Sequence, residues 1–255
     1  MSMAYPLFEY DHTRRAFIEP SEVIKPRNMP EHCVICFFKE VNQEIISEHN
    51  ANLLVENSWE DGPHPVYEIS YQNKRLAFFH AGIGASLAAS LLEEVIAFGC
   101  RKFIACGGCG VLASDIAVGN LIVVSGAIRD EGVSYHYLPP AREVVANALA
   151  LNALKKVLDQ RGIPYRIGKT WTTDAPYRET PIRINTRKEE GCLAVEMESA
   201  GLMAVAEFRG VAFGQVLYGG DDLSGQVWDY REWQSMQEIR KNLFWLCADA
   251  CLAME

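Results

Sequence analysis

Basic residues are scarce in this chain. It has 24 Lys and Arg residues against 33 Asp and Glu residues, which gives a formal net charge of -9 at pH 7. Because the phosphates of nucleic acids and of anionic lipids attract clustered Lys and Arg, this composition argues against nucleic acid and membrane surfaces as partners. Any anion that the protein binds must be held by a local pocket.

Long apolar runs are also missing. Residues 119–128 form one of the longest, and this run is far shorter than the roughly 20 residues that a membrane-spanning helix needs. Residues 1–10 contain acidic and aromatic side chains and lack the cationic start and apolar core of a secretory signal peptide. We therefore expect a cytoplasmic protein.

Cysteine is too sparse for a disulfide scaffold, with eight residues in a chain of 255. The CxxC spacings Cys33/Cys36 and Cys106/Cys109 raise the alternative of a metal or redox site. Strand alternation would turn the first two thiols to opposite faces, and the glycines between the second two have another use. We expect buried structural cysteines, no metal and no redox cofactor.

The composition is otherwise that of an ordinary globular protein, with 49% hydrophobic and 22% charged residues. No repeat and no Pro/Gly/Ser linker divides the chain, so we expect an N-terminal arm over residues 1–30 and one domain over residues 31–255.

Apolar strands alternate with amphipathic helices along that domain. The pattern predicts strands at 33–38, 66–71, 75–80, 103–106, 119–128, 165–172 and 212–217, and helices at 86–98, 142–161, 196–208 and 229–252. This alternation favours an α/β fold with a mostly parallel sheet that helices cover on both faces. Ligands of such sheets bind beyond the carboxyl ends of the strands.

Two glycine-rich segments follow predicted strands. Gly82 and Gly84 lie between a strand and a helix, where backbone N–H groups can approach an anion. The dinucleotide-binding fingerprint fails because Leu87 occupies its third glycine position. A second glycine turn is predicted at 107–110, and either segment has the alternative of a simple tight turn.

Acidic residues mark two further strand ends. Glu196 and Glu198 stand where a strand is predicted to give way to a helix, a place that tolerates negative charge. Such carboxylates can bind a vicinal diol; ordinary acidic capping is the alternative. Asp221, with Asp222 beside it, follows the apolar strand 212–217, a usual place for a catalytic acid.

These motifs occur in the order Gly-Ile-Gly at 82–84, Cys-Gly-Gly-Cys-Gly at 106–110, Val-Glu-Met-Glu-Ser-Ala at 195–200 and Gly-Asp at 220–221. In this order the chain resembles the nucleoside phosphorylase and nucleosidase family over residues 31–253. The segments 129–132 and 172–179 are most similar to the uridine phosphorylase branch. The resemblance implies a single-domain three-layer α/β/α fold with a mixed, largely parallel central sheet.

The resemblance also implies roles for individual residues. It assigns Glu198 to the ribose hydroxyls, with Met197 and Glu196 beside it, and Asp221 to protonation of the departing base, with Asp222 as its competitor. Base contacts would come from Arg178, with Tyr177 and Thr173 in the same loop. His12 in the arm would reach the ribose of a neighbouring subunit.

The phosphate site departs from the family pattern. Phosphorylases carry a Gly-Asp-Pro turn and an arginine where this chain has Phe-Phe-Lys-Glu at 37–40, an arginine at Ala105, and a serine or threonine at Gly108. Glu40 resembles the glutamate that orients water in nucleosidases, yet the arginine that nucleosidases place four residues before the aspartate is Leu217.

Candidates for the phosphate or water site are glycines and charged residues near these segments: Gly82, Gly84, Gly107, Gly108, Arg129 and Glu40. Arg27 or an arginine from a second subunit could add positive charge. Inorganic phosphate would be the co-substrate, and no other cofactor is implied.

Three functions therefore remain open. The leading hypothesis is a uridine-phosphorylase-like enzyme that converts a nucleoside and phosphate to free base and ribose 1-phosphate. The alternatives are a nucleoside hydrolase and a non-catalytic nucleoside-binding relative. By resemblance we expect a homo-oligomer, a dimer or a hexamer.

Overall fold

The computed structural model describes residues 5–255. The helices are α1 (Pro20–Val23), α2 (Lys39–Glu48), α3 (Ala85–Phe98), α4 (Ser134–Tyr137), α5 (Ala148–Arg161), α6 (Pro181–Glu189), α7 (Ser199–Arg209) and α8 (Gln237–Leu252). The strands are β1 (His32–Cys36), β2 (Asn52–Trp59), β3 (Gly62–Tyr71), β4 (Lys74–Phe79), β5 (Lys102–Val111), β6 (Leu121–Asp130), β7 (Glu143–Val145), β8 (Tyr165–Thr173), β9 (Cys192–Glu196) and β10 (Ala212–Asp222). Short 3₁₀ turns lie at Pro6–Phe8, Pro176–Arg178 and Trp233–Ser235.

All of these strands join one mixed sheet. Its order is β10-β6-β8-β9-β5-β1-β4-β3-β2, with β7 on β6. The pairings β4–β1, β1–β5, β5–β10, β6–β8 and β8–β9 are parallel, and the others are antiparallel. Because β10 pairs with both β5 and β6, the strands β5, β9, β8, β6 and β10 close into a ring.

Helices cover both faces of the sheet. One buried apolar cluster joins α3 and α7 to one face, through residues such as Leu92, Leu202 and Phe213. A second joins α2, α5 and α8 to the opposite face, through residues such as Ile45 and Phe244. Alternating side chains of β1 and β5 enter the two clusters in turn, as strand geometry requires. The predicted three-layer α/β fold with a mixed sheet is confirmed.

Several predicted boundaries are wrong. The helix predicted at 142–161 begins at Ala148, because Glu143–Val145 pairs with β6 instead. Asn147 fixes the new start, since its side chain accepts a hydrogen bond of 3.2 Å from the backbone N–H of Ala150. The helix predicted at 229–252 begins at Gln237, because Arg231 and Glu232 adopt positive φ angles of 50° and 46°, which no right-handed helix contains.

The glycine turn predicted at 107–110 is absent as well. These residues continue β5, which pairs with β10 from Lys102 to Cys109. The helix predicted at 196–208 begins at Ser199, so Glu196 ends β9 and Glu198 precedes the helix. The pattern also misses β2, α2 and α6, which bury few residues: one in β2, three in α2 and one in α6.

The N-terminal arm packs on the α3 and α7 side of the domain. Arg209 of α7 bridges Glu19 of the arm and Glu93 of α3, with 2.7 Å in each contact. The first four residues of the predicted arm lie outside the described part of the chain. Within residues 5–255 no helix has the length and apolar character needed to cross a membrane.

Candidate active site

A cavity of about 1370 Å³ lies where β5, β9 and β10 end. The loops before α6 and before α8 form its other walls. Eight residues singled out from the sequence line it: Glu40, Gly107, Gly108, Tyr177, Glu196, Met197, Glu198 and Asp221. Eight do not line it: His12, Arg27, Gly82, Gly84, Arg129, Thr173, Arg178 and Asp222.

Glu198 is held at the junction between β9 and α7. The backbone N–H of Gly84 donates a hydrogen bond of 2.7 Å to Glu198 Oε1. Burial, and next the neighbouring Glu196 carboxylate, raise the pKa of Glu198 to about 8. The N–H of Gly84 therefore positions the carboxylate, whereas the sequence pattern assigned it to phosphate.

Glu196 has a different environment from Glu198. Its Oε1 accepts 2.6 Å from the Thr172 hydroxyl, and its Oε2 accepts 2.7 Å and 2.6 Å from the backbone N–H groups of Glu198 and Ser199. These donors occupy both oxygens, so Glu196 fixes the start of α7 and the backbone of the second carboxylate.

The glycines at 82 and 84 shape the turn between β4 and α3. Both have positive φ, 75° and 90°. A Cβ on Gly82 would collide with the side chain of Leu87, so the tight turn requires glycine at this position. Gly82 is buried beneath the turn and away from the cavity lining.

Asp221 and Asp222 are adjacent in sequence but have different hydrogen-bond partners. Asp222 accepts 2.7 Å from the backbone N–H of Ser224 and pairs with Arg231, which ties it to the loop before α8. Asp221 lines the cavity, and its Oδ2 accepts 2.6 Å from the indole N–H of Trp228. The β5–β10 register shifts between Gly219 and Asp222, which accommodates the turn of Asp221 toward the cavity. The geometry therefore favours Asp221 as the reactive carboxylate.

The loop before α6 presents different residues from those predicted. Arg178 is exposed and outside the lining, while Glu179 lines the cavity. Thr173 is buried and accepts 3.2 Å from the N–H of Ala175. Tyr177 is at the rim with 99% of its surface exposed. Burial, and next Asp221, raise the pKa of Glu179 to about 7, so sequence reasoning missed a titrating group at this end.

Arg129 is committed elsewhere. Its Nε donates 2.8 Å to the Ser134 hydroxyl, and its Nη1 and Nη2 donate 2.8 Å and 3.2 Å to the carbonyls of Pro139 and Leu138. The guanidinium also stacks on Tyr135, 4.2 Å from the ring centre. All of its nitrogens hold the loop after β6, so the structure puts this arginine outside the phosphate candidates.

Gly107 and Gly108 do line the cavity, but as parts of a strand. A Cβ on Gly108 would lie 3.1 Å from Tyr218 and 3.4 Å from Trp233. Because Gly108 has no side chain, these two aromatic rings can pack directly on β5. This close packing explains why glycine occupies the position.

Arg240, like Glu179, lines the cavity but was not predicted from the sequence. It lies on α8, is only 8% exposed and lines the cavity. Its Nε donates 3.0 Å to the Tyr218 hydroxyl and its Nη1 pairs with Glu40. Its guanidinium lies 5.0 Å from the Phe38 ring centre and 5.4 Å from that of Trp233. A single arginine in an amphipathic helix is usually exposed to solvent, and no local motif in the sequence indicates that Arg240 is buried in a cavity.

Two arm residues stay outside this cavity in the single chain. His12 is exposed and packs edge-on against Tyr10, with 4.9 Å between ring centres. Arg27 is exposed beside Phe98, at 5.9 Å.

The cysteines are free and buried. Burial raises the pKa of Cys33, Cys36, Cys106 and Cys109 above the ordinary thiol value, which suppresses the reactive thiolate. Within residues 5–255 no group of three or more His, Cys, Asp or Glu side chains is placed to hold a metal ion.

Curated proteins with related sequences include a guanosine phosphorylase of Halorubrum lacusprofundi. It is 30% identical over 151 residues, which is 59% of this chain and 63% of that protein. A purine nucleoside phosphorylase of Shewanella baltica is 30% identical over 139 residues, 54% of this chain and 59% of that protein. The chain thus spans about three fifths of the length of the curated relatives it matches.

Solved structures share the fold at lower identity. The uridine phosphorylase of Vibrio fischeri superimposes with a TM-score of 0.76 and 22% identity, over 92% of this chain and 97% of that one. The sequence model of the phosphorylase superfamily matches residues 31–253. The chain therefore belongs to the phosphorylase superfamily of nucleoside phosphorylases and nucleosidases.

Proposed function

We propose that this protein cleaves the N-glycosidic bond of a nucleoside by phosphorolysis, releasing the base and ribose 1-phosphate. The supporting observation is that Glu198 and Asp221, carboxylates from different strand ends, open onto one cavity. A phosphate oxygen would bond to C1′ as the bond from C1′ to the base nitrogen breaks.

At the sugar end, Glu198 would accept hydrogen bonds from the ribose hydroxyls. Bond breaking develops positive charge on the ribose ring, which a nearby carboxylate stabilises. The pKa of Glu198, about 8 in the free protein, would fall when hydroxyl donors bind, because hydrogen bonds to the charged form favour it. Substrate would thus create the anion that its own transition state needs.

At the base end, Asp221 would hydrogen-bond the departing base and, for a purine, deliver the proton that neutralises it. Trp228 donates to the same carboxylate and orients it before substrate arrives. Glu179 lines this end of the cavity and interacts electrostatically with Asp221. Two carboxyl groups, one of them titrating near neutrality, favour a base that brings hydrogen-bond donors.

This environment bears on the choice of base. The uridine hypothesis relies on Arg178 as a donor to base carbonyls, and Arg178 is outside the lining. A carboxylate at Glu179 suits the adjacent ring N–H and amino group of guanine better than the single N–H of uracil, which lies between two carbonyls. With a guanosine phosphorylase among the relatives, we propose guanosine as the first substrate to test and uridine as the second.

Hydrolysis is the second candidate, and Glu40 is the observation in its favour. This carboxylate lines the cavity near Gly107 and Gly108, where the family pattern puts phosphate ligands. A carboxylate there can orient and deprotonate a water molecule, and it repels a phosphate dianion.

One assay distinguishes these possibilities. Base release is measured on guanosine, inosine, adenosine, uridine and their deoxy forms, with and without phosphate, and the sugar product is identified. Ribose 1-phosphate formed only with phosphate supports phosphorolysis, and free ribose formed without it supports hydrolysis. Nucleoside binding without turnover of any substrate would refute the enzymatic proposal and favour the non-catalytic relative.

We further propose that the protein is a homo-oligomer, a dimer or a hexamer, in which His12 reaches a neighbouring subunit's ribose. The exposure of His12 in the single chain is compatible with that role. Light scattering gives the mass, and a His12→Ala variant with unchanged KM for the nucleoside would refute the shared site.

A further inference from the structure

The charge of the cavity poses a problem for a phosphate co-substrate. Its lining contains a single arginine, Arg240, and five acidic residues: Glu40, Glu179, Glu196, Glu198 and Asp221. A phosphate dianion entering this space would meet carboxylates on several sides. Phosphorolysis in this chain therefore requires a cation at the place where phosphate binds.

Arg240 is built into that place. The ring of Trp233 contacts the guanidinium at 5.4 Å and would lie 3.4 Å from a Cβ on Gly108. Phe38 also contacts the guanidinium, with its ring centre 5.0 Å away. Arg240 thus lies beside residues 37–40 and Gly108, two of the positions where this chain departs from the phosphate ligands of its family.

Two nitrogens of the guanidinium are engaged and the third is available. Tyr218 holds Nε and Glu40 holds Nη1, while Nη2 makes no hydrogen bond within residues 5–255. Aromatic packing on Phe38, Tyr218 and Trp233 limits its movement. A guanidinium with one unpaired nitrogen, already ordered and largely buried, can donate a charge-assisted hydrogen bond to a phosphate oxygen.

We propose that Arg240 is the phosphate ligand of this enzyme and replaces, from the terminal helix, the arginines that the family supplies from its first strands. This proposal rests on the proposed phosphorolysis. Glu40 holds Arg240 in place while phosphate is absent and competes with phosphate for the guanidinium. Its carboxylate therefore weakens phosphate binding while it orders the ligand.

The first test measures phosphate binding without nucleoside, by calorimetric titration of inorganic phosphate. Arg240→Met should bind phosphate at least ~10-fold more weakly than the natural protein, since a charge-assisted hydrogen bond is lost. Lys241→Met is the matched control: Lys241 is adjacent on α8, pairs with Glu44 and Glu48, and does not line the cavity. Equal phosphate affinity in the two variants would overturn the proposal.

The second test separates phosphate binding from simple neutralisation of Glu40. Glu40→Gln should tighten phosphate binding by several fold, roughly the effect of removing one nearby negative charge. If Arg240 only neutralises Glu40, the Glu40→Gln/Arg240→Met double variant should regain the natural affinity. If Arg240 binds phosphate, the double variant should remain at least ~10-fold weaker than Glu40→Gln alone.

Arg240→Lys covers the case in which Arg240→Met does not fold, because it keeps the charge and alters only the planar geometry. It should raise KM for phosphate and leave KM for the nucleoside unchanged. Phosphate-dependent turnover with an unchanged KM for phosphate in Arg240→Lys and in Glu40→Gln would refute the assignment and leave phosphorolysis intact. Free ribose formed without phosphate would refute phosphorolysis itself, and the assignment with it.

Discussion

The proposed sugar end of the cavity, around Glu196 and Glu198, and the proposed phosphate end, around Glu40 and Arg240, are assembled from different parts of the chain. At the sugar end, Glu196 and Glu198 are two residues apart, and one β9–α7 junction positions both. At the phosphate end, Glu40 stands at the start of α2 and Arg240 near the start of α8, and only the packing of α8 on the sheet brings them into contact. The first end is local in sequence and the second is assembled by the fold.

The two ends also treat negative charge differently. Backbone N–H groups and a threonine hydroxyl satisfy Glu196, and Glu198 receives the N–H of Gly84, with no cation among these contacts. Glu40 is instead paired with a buried guanidinium. Hydrogen bonds from the backbone stabilise a carboxylate wherever the turn forms, whereas the partly buried pair of Arg240 and Glu40 requires both partners to be present. Removing one partner at the phosphate end should therefore leave the other without a countercharge, whereas at the sugar end Glu196 and Glu198 repel each other and removing one charge should ease ionisation of the other.

The largest effect is expected at the sugar end. Glu198→Gln should lower kcat/KM by about 10³-fold, since it removes the charge that stabilises the ribose cation in the transition state. Its melting temperature should not fall, because burial already disfavours the ionised side chain. Steady-state kinetics and thermal unfolding give the two values.

Glu196→Gln provides the contrast at the same junction. It should lower the melting temperature, because glutamine has one acceptor oxygen and its NH₂ group would face either the Thr172 hydroxyl or the N–H groups of Glu198 and Ser199. A Glu196→Gln variant that loses activity without losing stability would show that the roles of the two glutamates are reversed.

The next effect concerns the base end. Asp221→Asn should lower kcat by about 10²-fold on a purine nucleoside, which is the usual contribution of one general acid. Asp222→Asn should mainly destabilise the loop before α8, since it breaks the contacts to Arg231 and Ser224. Equal losses of kcat in the two variants would contradict the assignment of Asp221.

The difference between the two ends explains what the sequence could predict. The alternation of strands and helices and the carboxylates at 196, 198 and 221 are local patterns, and the structure brings those three carboxylates into one cavity. Glu179 was missed in favour of Arg178 because a 3₁₀ turn of three residues decides which neighbour faces inward. Such a turn has no clear sequence pattern.

Arg240 was missed for a different reason. Its role depends on a partner 200 residues away and on three aromatic rings from β10 and the loops around it. No spacing along the chain encodes such a contact. Arg129 shows the opposite case. It belongs to the segment 129–132 that resembles the uridine phosphorylase branch, yet its hydrogen bonds go to its own loop. Proximity in sequence to a motif is a weak guide where the site is assembled by tertiary packing.

A smaller effect should appear in the pH dependence. The pKa of Glu179 is about 7, so its carboxylate forms between pH 6 and pH 8. If the anion accepts N–H groups of guanine, KM for guanosine should fall by up to ~10-fold over this range. KM for the Glu179→Gln variant should change little, as measured by initial rates at constant ionic strength.

Raising the pH should improve guanosine binding but lower the stability of the folded protein. A raised pKa means that the folded state disfavours ionised Glu179, so the natural protein loses stability as pH rises from the unfolded value of about 4.5 through 7. Glu179→Gln should melt higher than the natural protein at pH 8 and equally at pH 4. If the variant and the natural protein have the same melting temperature at pH 8 as well as at pH 4, the burial of this carboxyl group is contradicted.

The smallest effect tests how the phosphate end is ordered. Tyr218→Phe removes the hydroxyl that accepts from Arg240 Nε at 3.0 Å and donates to the carbonyl of Trp233 at 2.9 Å. Each is a single hydrogen bond of about 1 kcal/mol, so KM for phosphate should rise by roughly 5-fold. KM for the nucleoside should not change, because the sugar end is held by β9 and α7. If KM for phosphate and KM for the nucleoside rise together, the phosphate end and the sugar end are not independent. Arg240 would then act by shaping the whole cavity and not by contacting phosphate.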